Sequence, residues 1–263
     1  MSQTPANPKN AVLSVVKAFA VLRAFVPGND QLTISEIATR TDLDRGTAFR
    51  LVHTLRELGY ITPVSGTKRF RLTLKCLELG YTALAHLNLK DLSRPIVAEL
   101  VAQGADAASL GMLDGTDVVF VERAQATFGR NLDRNVGSRI GIYASALGQA
   151  ILAFEPPDYQ REVLERSDRR RLSERTITDV DELLKKLSEI RARGWAASDG
   201  ENAFGLRTIA APVFNKAGEA VAAISVTNQA GDTTMESFIE EALPHLLAAV
   251  AELSQAACLG EPS

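Results

Sequence analysis

Basic and hydroxyl side chains recur at helical spacing in the stretch RGTAFRLVH, from Arg45 to His53. Arg45 and Thr47 would occupy the first turn of such a helix, and Arg50 would follow one turn later. An arginine can pair with a guanine edge or a phosphate, and a threonine hydroxyl can contact either. A solvated helix face whose arginines touch nothing would show the same spacing. The pattern indicates a nucleic-acid contact that the surrounding elements must support.

Motifs for catalysis or metal binding are absent from the sequence. The three histidines, at positions 53, 86 and 245, form no HxxxH or HExxH pattern, and no CxxC pair occurs. Ser145 lies in ASALG, which lacks the glycine two residues earlier that a nucleophile elbow requires. No glycine-rich phosphate loop occurs, and Asp199 with Glu201 is an isolated carboxylate pair. We therefore predict no catalytic residue, no metal and no cofactor.

Charge is divided unevenly along the 263-residue chain. The net charge is −3, yet residues 1–75 contain 11 lysines and arginines against 5 acidic residues, a net of +6. Residues 76–263 hold the other 18 basic and 27 acidic residues, a net of −9. Opposite signs predict two domains with different partners, and the basic domain suits a polyanion.

The composition is that of an ordinary globular protein, with 46% hydrophobic and 23% charged residues. No apolar run approaches the roughly 20 residues that a membrane span needs, and MSQTPANPKN lacks the apolar core of a secretory signal. Cys76 and Cys258 lie far apart, without metal-ligand spacing. We expect two ordinary thiols in a reduced cytoplasm and no membrane partner.

Two helices are predicted before Arg45. The first has about four turns and is closed by Pro27-Gly28-Asn29-Asp30. Its apolar positions at helical period are Val12, Val15, Val16, Phe19, Leu22 and Phe25. Thr33 and Glu36 form a capping box at the start of the second helix, which ends by Leu43. The buried face of this second helix is predicted to be Ile34, Ile37 and Ala38.

Asp44 is the predicted N-cap of a third helix, which carries the arginines. The apolar side of this helix is Ala48, Leu51, Val52, Leu55 and Leu58. The opposite side is Gly46, Arg50, His53 and Glu57. A glycine at position 46 would let the helix backbone come close to DNA.

Two short strands, 60–62 and 69–72, follow the third helix around a turn at 65–67. Alternation turns Phe70 and Leu72 inward and the arginines 69 and 71 outward, beside Lys68. These elements together predict a winged helix-turn-helix, whose second helix enters the major groove. The predicted DNA contacts are Thr33, Arg45, Gly46, Thr47, Arg50, His53, Lys68 and Arg69.

The second half of the chain predicts an antiparallel sheet packed by helices. Strands are expected at 107–113, 117–122, 128–136, 206–214 and 220–228, with a hairpin at Asp114-Gly115. Helices are expected at 92–103, 144–154, 157–166, 179–193 and 234–255. Thr208, Ser225 and Thr227 are hydroxyls in otherwise apolar strands, which either a ligand carboxylate or neighbouring backbone would satisfy.

Arginines supply a second possible anion contact. Arg130 and Arg134 share one face of the 128–136 strand with Leu132, so either could bind a carboxylate through two hydrogen bonds. Both could equally be solvated. Arg207 would serve either a ligand or a structural ion pair.

Several phrases of the sequence resemble the IclR family of bacterial transcriptional regulators. They are SVVKAFAVLRAF (14–25), the stretch 32–61, LTLKCLELGYTAL (72–84), VGSRIGIYASALGQAILAF (136–154), RTITD (175–179) and the stretch 194–228. The resemblance runs from about Ser14 to Leu253 and is closest to the branch that controls aromatic-acid catabolism, the protocatechuate and p-hydroxybenzoate regulators. It departs at Gly46, where the family more often has a small hydroxyl residue or alanine.

The resemblance implies an α+β protein of two domains. A winged helix-turn-helix at 10–73 would be joined by a linker helix at 74–90 to a GAF-like effector-binding domain with an antiparallel sheet at 91–257. The linker and the first helix would pair two DNA-binding modules, giving a dimer or a dimer of dimers on palindromic or repeated half-sites. A leucine-rich connector packed within one subunit is the alternative.

The resemblance also implies a cup against the sheet for the effector. The predicted lining is Arg130, Leu132, Arg134, Ala146, Leu147, Asp199, Thr208, Ser225 and Thr227, with Asp199 in a bordering loop and an anion site at the helix start near Ala146. We thus expect a cytoplasmic regulator of a catabolic operon that senses a small organic acid, an aromatic carboxylate above all. The alternatives are a DNA-binding protein whose second domain serves only oligomerisation, and an enzyme fused to a DNA-binding module.

Overall fold

The chain divides into two units, Met1–His86 and Leu87–Ser263, and the computed structural model describes residues 11–85, 88–126, 134–231 and 234–260. In the first unit the elements are α1 (Leu13–Arg23), β1 (Leu32–Thr33), α2 (Ile34–Thr41), α3 (Arg45–Glu57), β2 (Ile61–Pro63), β3 (Arg69–Leu72) and α4 (Cys76–Ala85). Strand β3 lies between β1 and β2 and pairs antiparallel with both. This is a helix-turn-helix followed by a wing, as predicted.

Side-chain caps fix where α2 and α3 begin. The Thr33 hydroxyl accepts from the Glu36 amide, and the Glu36 carboxylate accepts from the Thr33 amide at 2.7 Å, which confirms the capping box. Asp44 caps α3 by accepting from the Thr47 amide at 2.8 Å. Between the two helices Asp42 adopts the left-handed conformation at φ 53°, so the chain reverses within three residues.

The core of the first unit is smaller than the sequence predicted. Its buried members are Val21, Ala24, Phe25, Leu32, Ile37, Ala38, Ala48, Val52, Leu55 and Ile61. Helix α1 has 11 residues, about three turns, and only its last part reaches this core. Val12, Val15 and Phe19, which follow the helical period, are therefore exposed, as is Leu58, which lies past the last residue of α3.

The second unit is a sheet with helices on both faces. Its elements are α5 (Asn88–Ala102), β4 (Ala107–Asp114), β5 (Asp117–Gln125), β6 (Arg139–Gly141), α6 (Ala146–Leu152), α7 (Pro157–Arg166), α8 (Val180–Arg193), β7 (Ala196–Asp199), β8 (Leu206–Phe214), β9 (Ala220–Gln229) and α9 (Met235–Gly260). All neighbouring strands pair antiparallel, in the order β6-β5-β4-β9-β8-β7. The predicted fold class is confirmed.

Alternate residues of β9 face the two helical layers. Ser225 points to the side on which α6 packs, whereas Val226 shares a crevice with Leu100 of α5 and Phe238 of α9. None of the helices within the described ranges combines the length and apolarity needed to cross a bilayer.

Most predicted elements of the second unit are present, and two strands were missed. Helix 157–166 and strand 206–214 are confirmed at their predicted bounds. Strands β6 and β7 are only three and four residues long, too short for a clear alternation of polar and apolar residues. The predicted strand 128–136 lies mostly outside the described residues, and positions 134–136 within them form no strand.

Candidate functional site

The exposed side of α3 carries two arginines in its first half. Arg45 and Arg50 are both exposed, and Arg50 Nη2 donates to the Thr47 hydroxyl at 3.4 Å. In the described part of the chain, neither guanidinium forms an ion pair. Both groups are therefore free to bind an anion or a base edge.

Gly46 also serves the cap of α3. A Cβ at this position would lie 3.2 Å from Oδ1 of Asp44, the oxygen that accepts from the Thr47 amide. Hydrogen bonds from the Thr47 side chain and backbone hold the pKa of the Asp44 carboxyl below its ordinary range. The absence of a side chain at Gly46 thus leaves room for the Asp44 cap. It also leaves the backbone at the start of α3 accessible.

His53 is placed by two aromatic rings. Its imidazole lies 4.2 Å from the Phe49 ring, at an interplanar angle of 39°, and 6.5 Å from Phe70 of β3. Phe49 was not among the predicted site residues, although it leaves half of its surface exposed on α3. The face of α3 that was predicted to be polar therefore also contains an aromatic patch.

The wing differs from its prediction at Arg69. Phe70 and Leu72 pack on the core and Lys68 is exposed, as predicted. Arg69 does not project freely, because its pairing with Thr33 across β1 and β3 brings it to the start of α2. There it forms an ion pair with Glu36 at 3.2 Å and donates to the Gln31 carbonyl at 2.7 Å. The Thr33 hydroxyl accepts a cap hydrogen bond and keeps its own hydrogen to donate.

In the second unit, strand register brings hydroxyls from four strands onto one face of the sheet. Thr208 pairs with both Ser198 and Thr227. In the next such row Ser225 pairs with Ser109. The Thr208 and Thr227 hydroxyls form a hydrogen bond with each other at 3.0 Å. This side-chain partner is neither of the two that the sequence suggested, a ligand carboxylate or the neighbouring backbone.

These hydroxyls form the floor of a cup that α6 covers. The cavity inside it has a volume of about 70 Å³, and its mouth is open to solvent. The lining is Phe120, Arg123, Arg134, Ile140, Ala144, Ser145, Ala146, Leu147, Ser198, Asn202, Leu206, Thr208, Ser225 and Thr227. It includes six of the predicted residues.

The anion site predicted near Ala146 has a weaker basis than expected. Helix α6 is only seven residues long, so its dipole is short. Ser145 caps it by accepting from the Gly148 amide at 3.4 Å, which already uses one of the free amides at the helix start. Ala146 and Leu147 mainly form part of the apolar wall of the cup.

Arg123 is the cationic group of the cup that sequence reasoning missed. Its Nη1 donates to the Ser109 hydroxyl at 2.7 Å, and its guanidinium lies 5.7 Å from the centre of the Phe120 ring. Its Nε is buried and has no hydrogen-bond partner among the described residues. The adjacent carboxylate, Glu122, points to the other face of the sheet, where Arg94 binds it at 3.3 Å.

Arg134 adds a second positive charge to the cup wall. Desolvation, and to a lesser extent repulsion from Arg134, lowers the pKa of Arg123. An arginine nevertheless keeps its charge at any physiological pH. Arg130 and Leu132, the other predicted residues of this segment, lie outside the described residues.

Asp199 is a correction to the predicted cup. It is the last residue of β7 rather than part of a loop, and it pairs with Arg207 of β8. Because Ser198 faces the cup, alternation turns Asp199 to the opposite face of the sheet. There it binds Arg207 at 3.2 Å and also forms an ion pair with Arg175. The alternative role for Arg207, a structural ion pair, is thereby confirmed.

The loop after β7 brings Asn202 to the cup. The preceding residue, Glu201, fixes this loop to the rest of the unit. Glu201 is nearly buried and binds Lys186 of α8 at 2.5 Å, while its carbonyl accepts from the Thr176 hydroxyl at 2.6 Å. Asn202 Oδ1 is buried and has no partner within the described part of the chain. A donor group of a ligand could supply one.

The missed residues share one property. Arg123 and Ser198 line the cup, and Ser109 holds Arg123, through strand pairing between positions that are distant in the chain. The alternation of β5 could have placed Arg123 on a face, but it could not have said which face α6 covers. The described residues contain no group of three or more histidine, cysteine or acidic side chains that could hold a metal ion.

A winged helix with free arginines on one unit, and a polar cup beneath a helix on the other, define a class of protein. It is the class of DNA-binding regulators that respond to a small ligand.

Comparison with known proteins agrees with this class. Residues 14–65 match the IclR helix-turn-helix domain, and residues 81–255 match the IclR C-terminal domain of bacterial transcriptional regulators. The chain therefore belongs to the IclR family of transcriptional regulators and is not an enzyme.

Individual relatives cover nearly all of the chain. The Pca regulon regulatory protein of Pseudomonas putida is 34% identical over 91% of this chain and 82% of its own length. A crystal structure of a protein from Rhodococcus sp. RHA1 is 35% identical, with a TM-score of 0.81 over 94% of this chain and 98% of that one. The inducer-binding domain of Acinetobacter PobR, solved as a double mutant with 3-hydroxybenzoic acid, is 27% identical, with a TM-score of 0.59 over 63% of this chain and 97% of that one.

Proposed function

We propose that the cup of this regulator binds a small aromatic carboxylate and that its occupancy changes how α3 binds operator DNA. Arg123 is the main evidence for the class of ligand. Its guanidinium lies in the cup, and its Nε is buried and has no hydrogen-bond partner among the described residues. A cation that is partly withdrawn from water is destabilised without a counter-charge. No carboxylate of the described residues pairs with it. An anionic ligand would supply the counter-charge.

The remaining walls support an aromatic body for that ligand. Phe120, Ile140, Leu147 and Leu206 are apolar and line the same cup. The polar residues of the lining include Thr208, Thr227 and Asn202. These side chains can form hydrogen bonds with hydroxyl groups on the ring of the ligand. The names of two relatives, one regulating a Pca regulon and one crystallised with 3-hydroxybenzoic acid, agree with this class.

For the DNA end, we propose that the N-terminal half of α3 enters the major groove. Arg45, Thr47 and Arg50 would meet base edges or phosphates, with the Gly46 backbone close to the DNA. Lys68 of the wing and the Thr33 hydroxyl would hold phosphates, which position the protein without reading sequence. His53 acts through the Phe49 ring that it packs on, and Arg69 acts by bracing the wing against α2.

Two exposed apolar surfaces of the first unit support self-association. Leu13, Val15 and Phe19 of α1 are each about half exposed or more, and Leu74 and Leu77, near the start of α4, are 82% and 66% exposed. Contiguous exposed apolar side chains mark interaction surfaces. We propose a dimer, able to pair into a dimer of dimers, that reads two half-sites in the cytoplasm, where the chromosome lies.

A ligand panel tests the proposed effector class. Thermal stability is measured with benzoate, 3-hydroxybenzoate, 4-hydroxybenzoate and 3,4-dihydroxybenzoate, with benzamide as the uncharged control. We expect at least one acid to raise the melting temperature in a concentration-dependent way, because a ligand that binds only the folded state stabilises it. Benzamide should have no effect. Stabilisation by none of the acids, or by benzamide equally, would reject the carboxylate cup and leave oligomerisation as the role of the second unit.

A further inference from the structure

Phe49 is an exposed aromatic residue on the helix that we place against DNA. It is the fifth residue of α3, and half of its surface is accessible. Of the other apolar residues in the middle of this helix, Ala48 and Val52 are fully buried and Leu51 packs partly buried against the core. Nothing in the core of the first unit requires a phenylalanine here, since the side chain points away from it.

The Phe49 ring is held in one orientation. The centre of the His53 imidazole, one turn later on α3, lies 4.2 Å from the centre of the Phe49 ring, and the centre of the Phe70 ring of β3 lies 6.5 Å from the imidazole. Such aromatic contacts restrict the rotamers of the side chain. His53 is therefore a positioning residue for Phe49, and the wing strand supports the pair.

The surroundings of Phe49 identify its partner as DNA rather than protein. On a helix it lies one turn after Arg45 and directly before Arg50, two exposed cations. The segment 1–75 has a net charge of +6. A protein surface covering Phe49 would bury these cations at a cost, whereas phosphates on both sides of a groove would pair with them.

Only one apolar group is offered by base pairs in the major groove, the C5-methyl of thymine. We propose that Phe49 is a specificity-determining residue that contacts a thymine methyl in each half-site. This inference rests on the proposed placement of α3 in the groove. It assigns to Phe49 a choice of base that the arginines, which prefer guanine and phosphate, cannot make.

Replacing thymidine by deoxyuridine tests the contact, because the two differ only by this methyl. A genomic fragment bound by the full-length protein is amplified once with dTTP and once with dUTP, and the two dissociation constants are compared. The wild type should bind the uracil form about fourfold more weakly per contacted methyl, and roughly 15-fold for two half-sites. Phe49→Ala should bind both forms equally, and Phe49→Leu should keep part of the preference.

Two control variants separate this inference from the placement of α3. Leu58→Ala removes another half-exposed apolar side chain at the end of the same helix and should retain the wild-type preference for thymine. Arg50→Ala should bind both DNA forms more weakly while keeping their ratio. If Arg50→Ala binds thymine DNA as well as the wild type does, the placement of α3 is wrong.

The inference itself is overturned by any of three results. The wild type would bind both DNA forms equally, or Phe49→Ala would keep the wild-type ratio. In the third result, size-exclusion chromatography would show that Phe49→Ala changes the oligomeric state, which would make a second copy of the chain the partner of this ring.

Discussion

The α3 surface and the cup use the same kinds of side chain, arginines and hydroxyls, but hold them differently. On α3, Arg45 and Arg50 stand in solvent, and the capping contacts nearby span only three residues of sequence. In the cup, Arg123 is enclosed between Ser109 and Phe120 with one nitrogen unpartnered. The α3 surface is thus formed by residues that are close together in sequence. The cup depends on pairing between strands that are distant in sequence.

This difference predicts how each site responds to the loss of an arginine. Exposed charges gain little from their protein neighbours, so α3 can lose one with no effect on folding. A partly buried arginine without a counter-ion costs free energy in the unliganded state, and its removal relieves that cost. Loss of the cup arginine should therefore weaken ligand binding without lowering the stability of the unliganded protein. Loss of an α3 arginine should weaken DNA binding and leave stability unchanged.

The largest effect is expected from Arg123→Met, which keeps the length of the side chain and removes its charge. Affinity for the aromatic acid should fall on the order of 100-fold or more, because a buried charge-assisted contact is lost. The melting temperature without ligand should stay the same or rise. Calorimetric titration and thermal unfolding measure the two effects.

Arg139→Met is the matched control for that variant. Arg139 binds Asp114 at 2.6 Å and Asp117 at 3.1 Å, outside the cup. Its loss should leave the ligand affinity unchanged and lower stability slightly. If Arg123→Met instead unfolds the protein or binds the acid as the wild type does, the contrast drawn between the two sites does not hold.

A smaller effect is expected from Arg50→Ala on operator binding. Loss of one base contact weakens binding by about 5- to 150-fold per half-site, while ligand affinity and stability should not change. A lower salt dependence of binding would indicate a phosphate contact instead of a base contact. Arg56→Ala, in the last turn of α3, is the control and should change affinity less. Equal losses for both variants would mean that α3 binds through charge alone.

The contrast also explains what the sequence could predict. The capping pairs Thr33–Glu36 and Asp44–Thr47 and the exposed Arg50 follow from spacing along one chain segment, and all were predicted. Arg123 could not be, because its position in the cup depends on pairing with Ser109 in the next strand and on the place of α6. Asp199 was misplaced for the same reason, since a four-residue strand decides which way it points.

Errors in the first unit have a different cause. Val12, Val15 and Phe19 follow the helical period but are exposed, because a period shows only that a face is apolar and not what covers it. The module has too few elements to cover the whole length of α1. The ion pair of Arg69 with Glu36 was not predicted, because alternation gives the direction of a side chain and not the carboxylate that meets it there.

The smallest effect concerns the cap of α3 and its dependence on pH. Since the pKa of Asp44 is lowered in the folded state, the charged cap stabilises the start of α3 above the ordinary aspartate pKa, and this stability is lost as pH falls through the lowered value. Asp44→Asn still caps but does not titrate. Amide exchange of the 45–50 segment should be faster in the variant at neutral pH and equal to the wild type in acid. A difference that persists after the wild-type carboxyl has been protonated would exclude the charge as its cause.

The central claim is that occupancy of the cup changes the affinity of the DNA-binding module. It is tested most directly by the operator dissociation constant with and without a saturating aromatic acid, in the wild type and in Arg123→Met. We predict a ligand-dependent change in the wild type, since only a difference in affinity between the two states can transmit the signal. The variant should show no change at the same acid concentration. A wild-type dissociation constant that ignores the bound acid, or an equal shift in both proteins, would contradict the account.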